Sequence, residues 1–85
     1  MTSQLLDVTL LNPEKIVFAG KAGRVIVPGE QGVFEILPFH KRLVSRLLSG
    51  TIIIDEQSVP IYRGIVQVDG NSVTVIMEEK RAAAS

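Results

Sequence analysis

The segment Ile61–Met77 holds two β-rich runs, IYRGIVQVD and SVTVIM, joined through Gly70-Asn71. An Asp-Gly step between such runs supplies the backbone angles that match the twist of paired strands, so Asp69-Gly70-Asn71 predicts a hairpin. The rest of the chain repeats the theme in shorter pieces. Leu5–Leu11 alternates loosely until Asn12-Pro13 breaks it. Lys15–Phe18 and Arg24–Val27 are Val/Ile segments separated by Gly20 and Gly23. Gly32–Leu37 follows the turn signature Pro28-Gly29, and Thr51–Asp55 is β-branched again. Turns recurring at roughly eight to twelve residues predict an all-β fold, a small antiparallel sandwich or barrel.

Two stretches carry a helical signal. In His40–Leu48, Leu43 and Leu47 stand four apart, as do Val44 and Leu48, and by periodicity alone the segment is predicted helical. Glu78–Ser85 (EEKRAAAS) is rich in helix formers but has room for only a turn or two.

With 85 residues the chain is one domain, and 46% hydrophobic residues suffice for a modest core. It has no cysteine, which excludes a disulfide framework or thiolate metal site. Nine basic and nine acidic residues cancel, a poor match for nucleic acid. Met1–Leu6 lacks the charged start and apolar stretch of a signal peptide, and no apolar run approaches a membrane span.

The single histidine, His40, is the candidate for acid–base work, with Glu35 five residues away. A catalytic histidine needs an orienting partner, and a lone one is usually structural or on the surface. One histidine with scattered carboxylates provides no metal spacing. Gly20, Gly23, Gly29 and Gly32 lack the strand–loop–helix context and the Gly-Lys-Ser/Thr ending of a phosphate loop, and read as turn glycines. Lys41, Arg42 and Arg46 form a basic cluster, either a solvated edge that discourages sheet-to-sheet pairing or a charged partner contact. No convincing active site emerges.

Three segments together carry a resemblance. They are LDVTLLNPEKIVFAG at Leu6–Gly20, VIVPGEQGVFEILPFH at Val25–His40, and RGIVQVDGNSVTVIME at Arg63–Glu78. In this order and spacing the chain resembles the N-terminal β-sandwich domain of the epsilon subunit of F-type ATP synthases, the delta/epsilon family. The resemblance implies a small antiparallel β-sandwich of two sheets over residues 1–79, with 80–85 a short tail where the family's helical hairpin would begin. It also implies a strand, not a helix, at His40–Leu48.

As the resemblance implies, the domain has no catalytic residue, metal or cofactor. It is a central-stalk rotor part, with one sheet against the gamma subunit and a loop end against the c-ring. Its place is peripheral, at the cytoplasmic face of the membrane, and its membrane association comes only through the complex. The ring-facing loop maps onto Leu11, Asn12, Val33, Glu35, Phe39, His40 and Lys41, and the gamma-facing side onto Ser45 and Thr51. Pro28, Gly29, Gly32 and Pro38 shape the turns. Val33 and Phe39 are alternatively core residues. The family usually has glycine at Glu35, a small residue and proline at Lys41-Arg42, and Gly-Gly at Arg63-Gly64. The family's ATP binding and restraint of hydrolysis rely on the hairpin beyond Glu79, so these residues are expected to carry neither. The alternative is a regulatory or ligand-binding β-sandwich module, which would need a pocket with convergent polar groups.

Overall fold

The computed structural model describes residues 4–80 and consists of eight strands. They are β1 Leu6–Leu11, β2 Ile16–Ala22, β3 Val25–Gly29, β4 Gly32–Ile36, β5 Leu43–Leu47, β6 Gly50–Ile54, β7 Gln57–Asp69 and β8 Ser72–Glu79. Hydrogen bonding runs in the order β2-β1-β8-β7-β5-β3-β4, with β6 joining β3 to β7. Every strand contributes to one buried apolar cluster, from Leu6, Val8 and Leu10 on β1 to Val73, Val75 and Met77 on β8. A single flat layer leaves both faces in water, so burial from all eight strands requires the sheet to fold over itself as a sandwich.

The fold turns on β7. Its first half, Gln57–Ile61, pairs with β6, and its second half, Gly64–Val68, pairs with β5. Between them the register against β8 slips, because Ile61 faces Glu79 while Arg63 faces Glu78, leaving Tyr62 as an extra residue. One inserted residue exchanges the two faces of a strand. Accordingly Val59 and Ile61 point inward before the bulge, and Gly64, Val66 and Val68 after it. The bulge thus lets one strand serve both layers.

The sandwich is not wholly antiparallel. Strands β1 and β8 pair in parallel, from Asp7 opposite Ser72 to Leu11 opposite Ile76. The predicted Asp69–Ser72 hairpin is present, with Gly70 at φ 63° at the first central position. Residues 43–47 form a strand and not a helix, with Leu43, Ser45 and Leu47 toward the core and Val44 and Arg46 outward. A spacing of four satisfies a period of two as readily as one of 3.6, so the leucine pairs fit either structure. The second helical segment also differs: Glu78 and Glu79 end β8, and beyond Lys80 it lies outside the described residues.

Pro28 and Gly29 do not form the turn read from their sequence. They are the last residues of β3, opposite Val33 and Gly32, and the connection is Glu30-Gln31. Gly32 at φ 123° supplies the conformation that glycine accepts most readily. Gly29 serves close packing, since a Cβ there would come within 2.7 Å of the Phe34 ring.

At the β6–β7 turn, Asp55 adopts φ 52° and its carboxylate accepts the backbone N–H groups of Gly23 and Arg24 at 3.1–3.2 Å. This joins the β2–β3 turn to the opposite hairpin. Asp55→Ala is expected to cost about 1–2 kcal/mol, because the acceptor is lost while the positive φ remains. Asp55→Asn retains an acceptor that tolerates this conformation and should recover most of the loss in thermal melts.

Candidate functional site

The interior carries no chemistry: no polar or charged side chain is buried among the described residues. No three of His, Cys, Asp and Glu among them could hold a metal ion. His40 is half-buried, and its Nδ1 bonds the Lys41 carbonyl at 2.8 Å. A carbonyl can only accept, so that ring nitrogen donates. Glu35 is exposed and faces Arg24 at 3.5 Å, so the carboxylate nearest to His40 in sequence is engaged elsewhere.

The surface is more informative. Between β4 and β5, Leu37-Pro38-Phe39-His40 forms a tight turn closed by the His40 N–H donating to the Leu37 carbonyl at 3.1 Å. Pro38 occupies the second position, and Phe39 the third at φ 67°. That is the type II pattern, whose third position favours glycine. A bulky residue held there costs about 1–3 kcal/mol. The ring gains no burial in return, for Phe39 is 73% exposed. The Phe39 N–H donates to Asn71 Oδ1 at 2.7 Å, which ties the turn to the β7–β8 hairpin. An aromatic side chain displayed to solvent from a strained, braced turn marks a contact surface better than a packing site.

The strands joined by this loop border an apolar cleft of about 460 Å³ that includes Val33, Phe34, Leu43, Val44 and Ser45. Val33 is 71% exposed and Val44 69%. Neither Val33 nor Phe39 is a core residue. Glu30 is the charged residue that lines the cleft, while Lys41 and Arg42 lie in the loop before β5, with Arg42 3.8 Å from Asp69. Ser45 lines the same cleft as Val33, while Thr51 stands exposed on β6 opposite Pro60.

Leu11 and Asn12 lie elsewhere. Leu11 pairs with Ile76, five residues along β8 from the Asn71 that holds Phe39, or about 17 Å of strand. Asn12 closes the β1–β2 turn, its Oδ1 accepting the N–H groups of Glu14 and Lys15 at 2.8 and 2.9 Å. Leu11 instead belongs to a row across the outer sheet face, in which successive partners are Ile65, Ile76, Leu11 and Ile16. Ile16, Ile65 and Ile76 are each half or more exposed. Sequence reasoning missed this row, although Ile65-Val66 and Val75-Ile76-Met77 break the apolar–polar alternation of a half-buried strand.

The described residues thus form an all-β scaffold with an exposed aromatic tip and an apolar outer row. Residues 5–83 match the family described as ATP synthase, Delta/Epsilon chain, beta-sandwich domain. The chain belongs to that family. It is 37% identical over 84 residues to the ATP synthase epsilon chain of Bordetella avium, covering 93% of this chain and 60% of that one. Against the epsilon chain of Leptospira borgpetersenii it is 32% identical over 82 residues, covering 92% and 65%. The chain therefore spans about three fifths of the length of these curated relatives. Its fold matches a chain in the Tetrahymena thermophila mitochondrial ATP synthase central stalk and c-ring structure, with TM-score 0.73, 16% identity, and 92% and 66% coverage. A chain of the Euglena gracilis mitochondrial enzyme superimposes with TM-score 0.80 at 15% identity, covering 89% and 52%.

Proposed function

We propose that this chain is the sandwich part of an ATP synthase epsilon subunit, a non-catalytic rotor element that couples c-ring rotation to the catalytic head through gamma. The single observation that carries the reading is Phe39, exposed at the tip of a conformationally costly turn in a domain whose described residues bury no polar or charged side chain. The tip, with Phe39, His40 and Lys41, and the β4 positions Val33 and Glu35 that lead to it face the c-ring. An apolar anchor within a charged rim is the usual anatomy of such a contact. The outer row through Ile65, Ile76 and Leu11 suits gamma, because an apolar strand face seeks a dry partner. Ser45 and Thr51 are not part of that row, so the gamma assignment rests on the row instead. The subunit itself sits peripherally at the cytoplasmic face of the membrane, held there only through the complex.

The test is retention of the purified chain on gamma and, separately, on detergent-solubilised c-ring. Binding to both is expected, and failure to bind either removes that assignment. Reversing Lys41 and Arg42 to glutamate should slow association with the ring at low salt. Because exposed charges are screened over about 8–10 Å, the defect should fade as ionic strength rises. A salt-independent defect would place these residues inside the contact and not on its rim.

A further inference from the structure

Phe39 cannot hold its own conformation. A phenylalanine at φ 67° is disfavoured against extended alternatives, and with the ring 73% exposed no packing offsets that preference. Two hydrogen bonds hold the turn. One is local, from the His40 N–H to the Leu37 carbonyl at 3.1 Å. The other comes from a different hairpin: Asn71 Oδ1 accepts the Phe39 N–H at 2.7 Å. Asn71 is itself anchored, since its backbone carbonyl accepts the Asp7 N–H at 2.7 Å and it follows Gly70 at φ 63° in the β7–β8 turn.

We infer that Asn71 is a positioning residue, whose side-chain carbonyl braces the Pro38-Phe39 turn so that the Phe39 ring is presented ready-made to its partner. The brace links three segments distant in sequence: the start of β1, the β4–β5 loop and the β7–β8 turn. Binding through an ordered loop avoids the entropy of ordering it at the moment of contact, and removing the brace returns that cost. The inference rests on the reading that Phe39 meets the c-ring.

Two measurements separate the inference from that reading. Amide hydrogen exchange on the 85-residue chain reports the brace directly. Asn71→Ala should speed exchange at Phe39 by roughly tenfold, the equivalent of one lost hydrogen bond, while Val66 and Val75 in the core remain as protected as in the wild type. Asn71→Asp keeps the acceptor and should restore protection. Affinity for solubilised c-ring should fall with Asn71→Ala by roughly fivefold to tenfold, recover with Asn71→Asp, and show no further loss when Asn71→Ala is added to Phe39→Ala. Unchanged exchange at Phe39, or a uniform rise across the core, overturns the inference. So does full ring affinity in Asn71→Ala when Phe39→Ala binds poorly. If Phe39→Ala itself binds like the wild type, the c-ring reading fails, and the exchange result still decides whether Asn71 braces the turn.

Discussion

Phe39→Ala is expected to weaken the hold on the c-ring by about 30-fold or more while leaving the fold almost untouched. Aromatic anchors at interface centres cost about 2 kcal/mol or more on truncation, and each 1.4 kcal/mol is about tenfold in affinity. In the free domain Phe39 is 73% exposed, so removal of its ring should change stability by no more than about 0.5 kcal/mol. Membranes carrying the variant should hydrolyse ATP but pump protons poorly, and adding His40→Ala should deepen the defect. Phe39→Gly provides an internal control. It removes the same ring but relieves the backbone at φ 67°, so its melting temperature should equal or exceed that of Phe39→Ala. Wild-type pumping in both variants would eliminate the loop as the coupling contact. A collapse of stability in both would instead make Phe39 a structural residue.

The largest effect on stability is expected at Gly64. It stands just after the β7 bulge, where the strand leaves β6 and takes up β5. A Cβ at this position would lie 2.8 Å from the Ile76 carbonyl oxygen and 3.0–3.1 Å from the Met77 Cβ and Cα. Two of those three atoms are backbone within the β7–β8 ladder, so no side-chain rotation relieves the clash. Gly64→Val should therefore cost about 3 kcal/mol or more, at the upper end of what overpacking does, and lower the melting temperature by roughly 12–24 °C. Gly70 makes the useful comparison, because a Cβ there meets nothing within 4 Å and its demand is only on φ. Gly70→Asn should be tolerated far better, since asparagine visits that region. Equal melting temperatures for the Gly64 and Gly70 variants would show that β7 can shift against β8, contrary to the packing described.

Edges and faces were legible to different degrees. The strand content is local information: β-branched residues favour extended backbone, and Gly70 marks its turn by a conformation most residues avoid. Strand β2 runs to Ala22, well past Phe18, because its second half, Ala19-Gly20-Lys21-Ala22, is extended by pairing with β1 and not by its own preference. The parallel partnership of β1 with β8 had no local signature, as it joins segments more than sixty residues apart. Pro28-Gly29 misled because the pair fits a turn and a buried strand end equally well until the register with Val33 and Gly32 is known.

The candidate site divides along the same line. Val33, Phe39 and Lys41 could be named from the ordered motifs, and the structure exposes them all. Their surroundings could not. Asn71 stands 32 positions from Phe39 in sequence and bonds its amide, a relation that exists only once the β4–β5 loop and the β7–β8 hairpin share one end of the sandwich. Leu11 was separated from the loop for the same reason, and joined to Ile16, Ile65 and Ile76. By itself the sequence determined that the chain would be all-β, where most of its turns fall, and which family it belongs to, because these follow from backbone preferences and ordered residue types along the chain. Only the tertiary structure decided which faces of those strands are buried and which residues meet across them, since the inserted residue at Tyr62 exchanges inside for outside, and the broken alternation at Ile65-Val66 does not say which residue is inserted or what it faces.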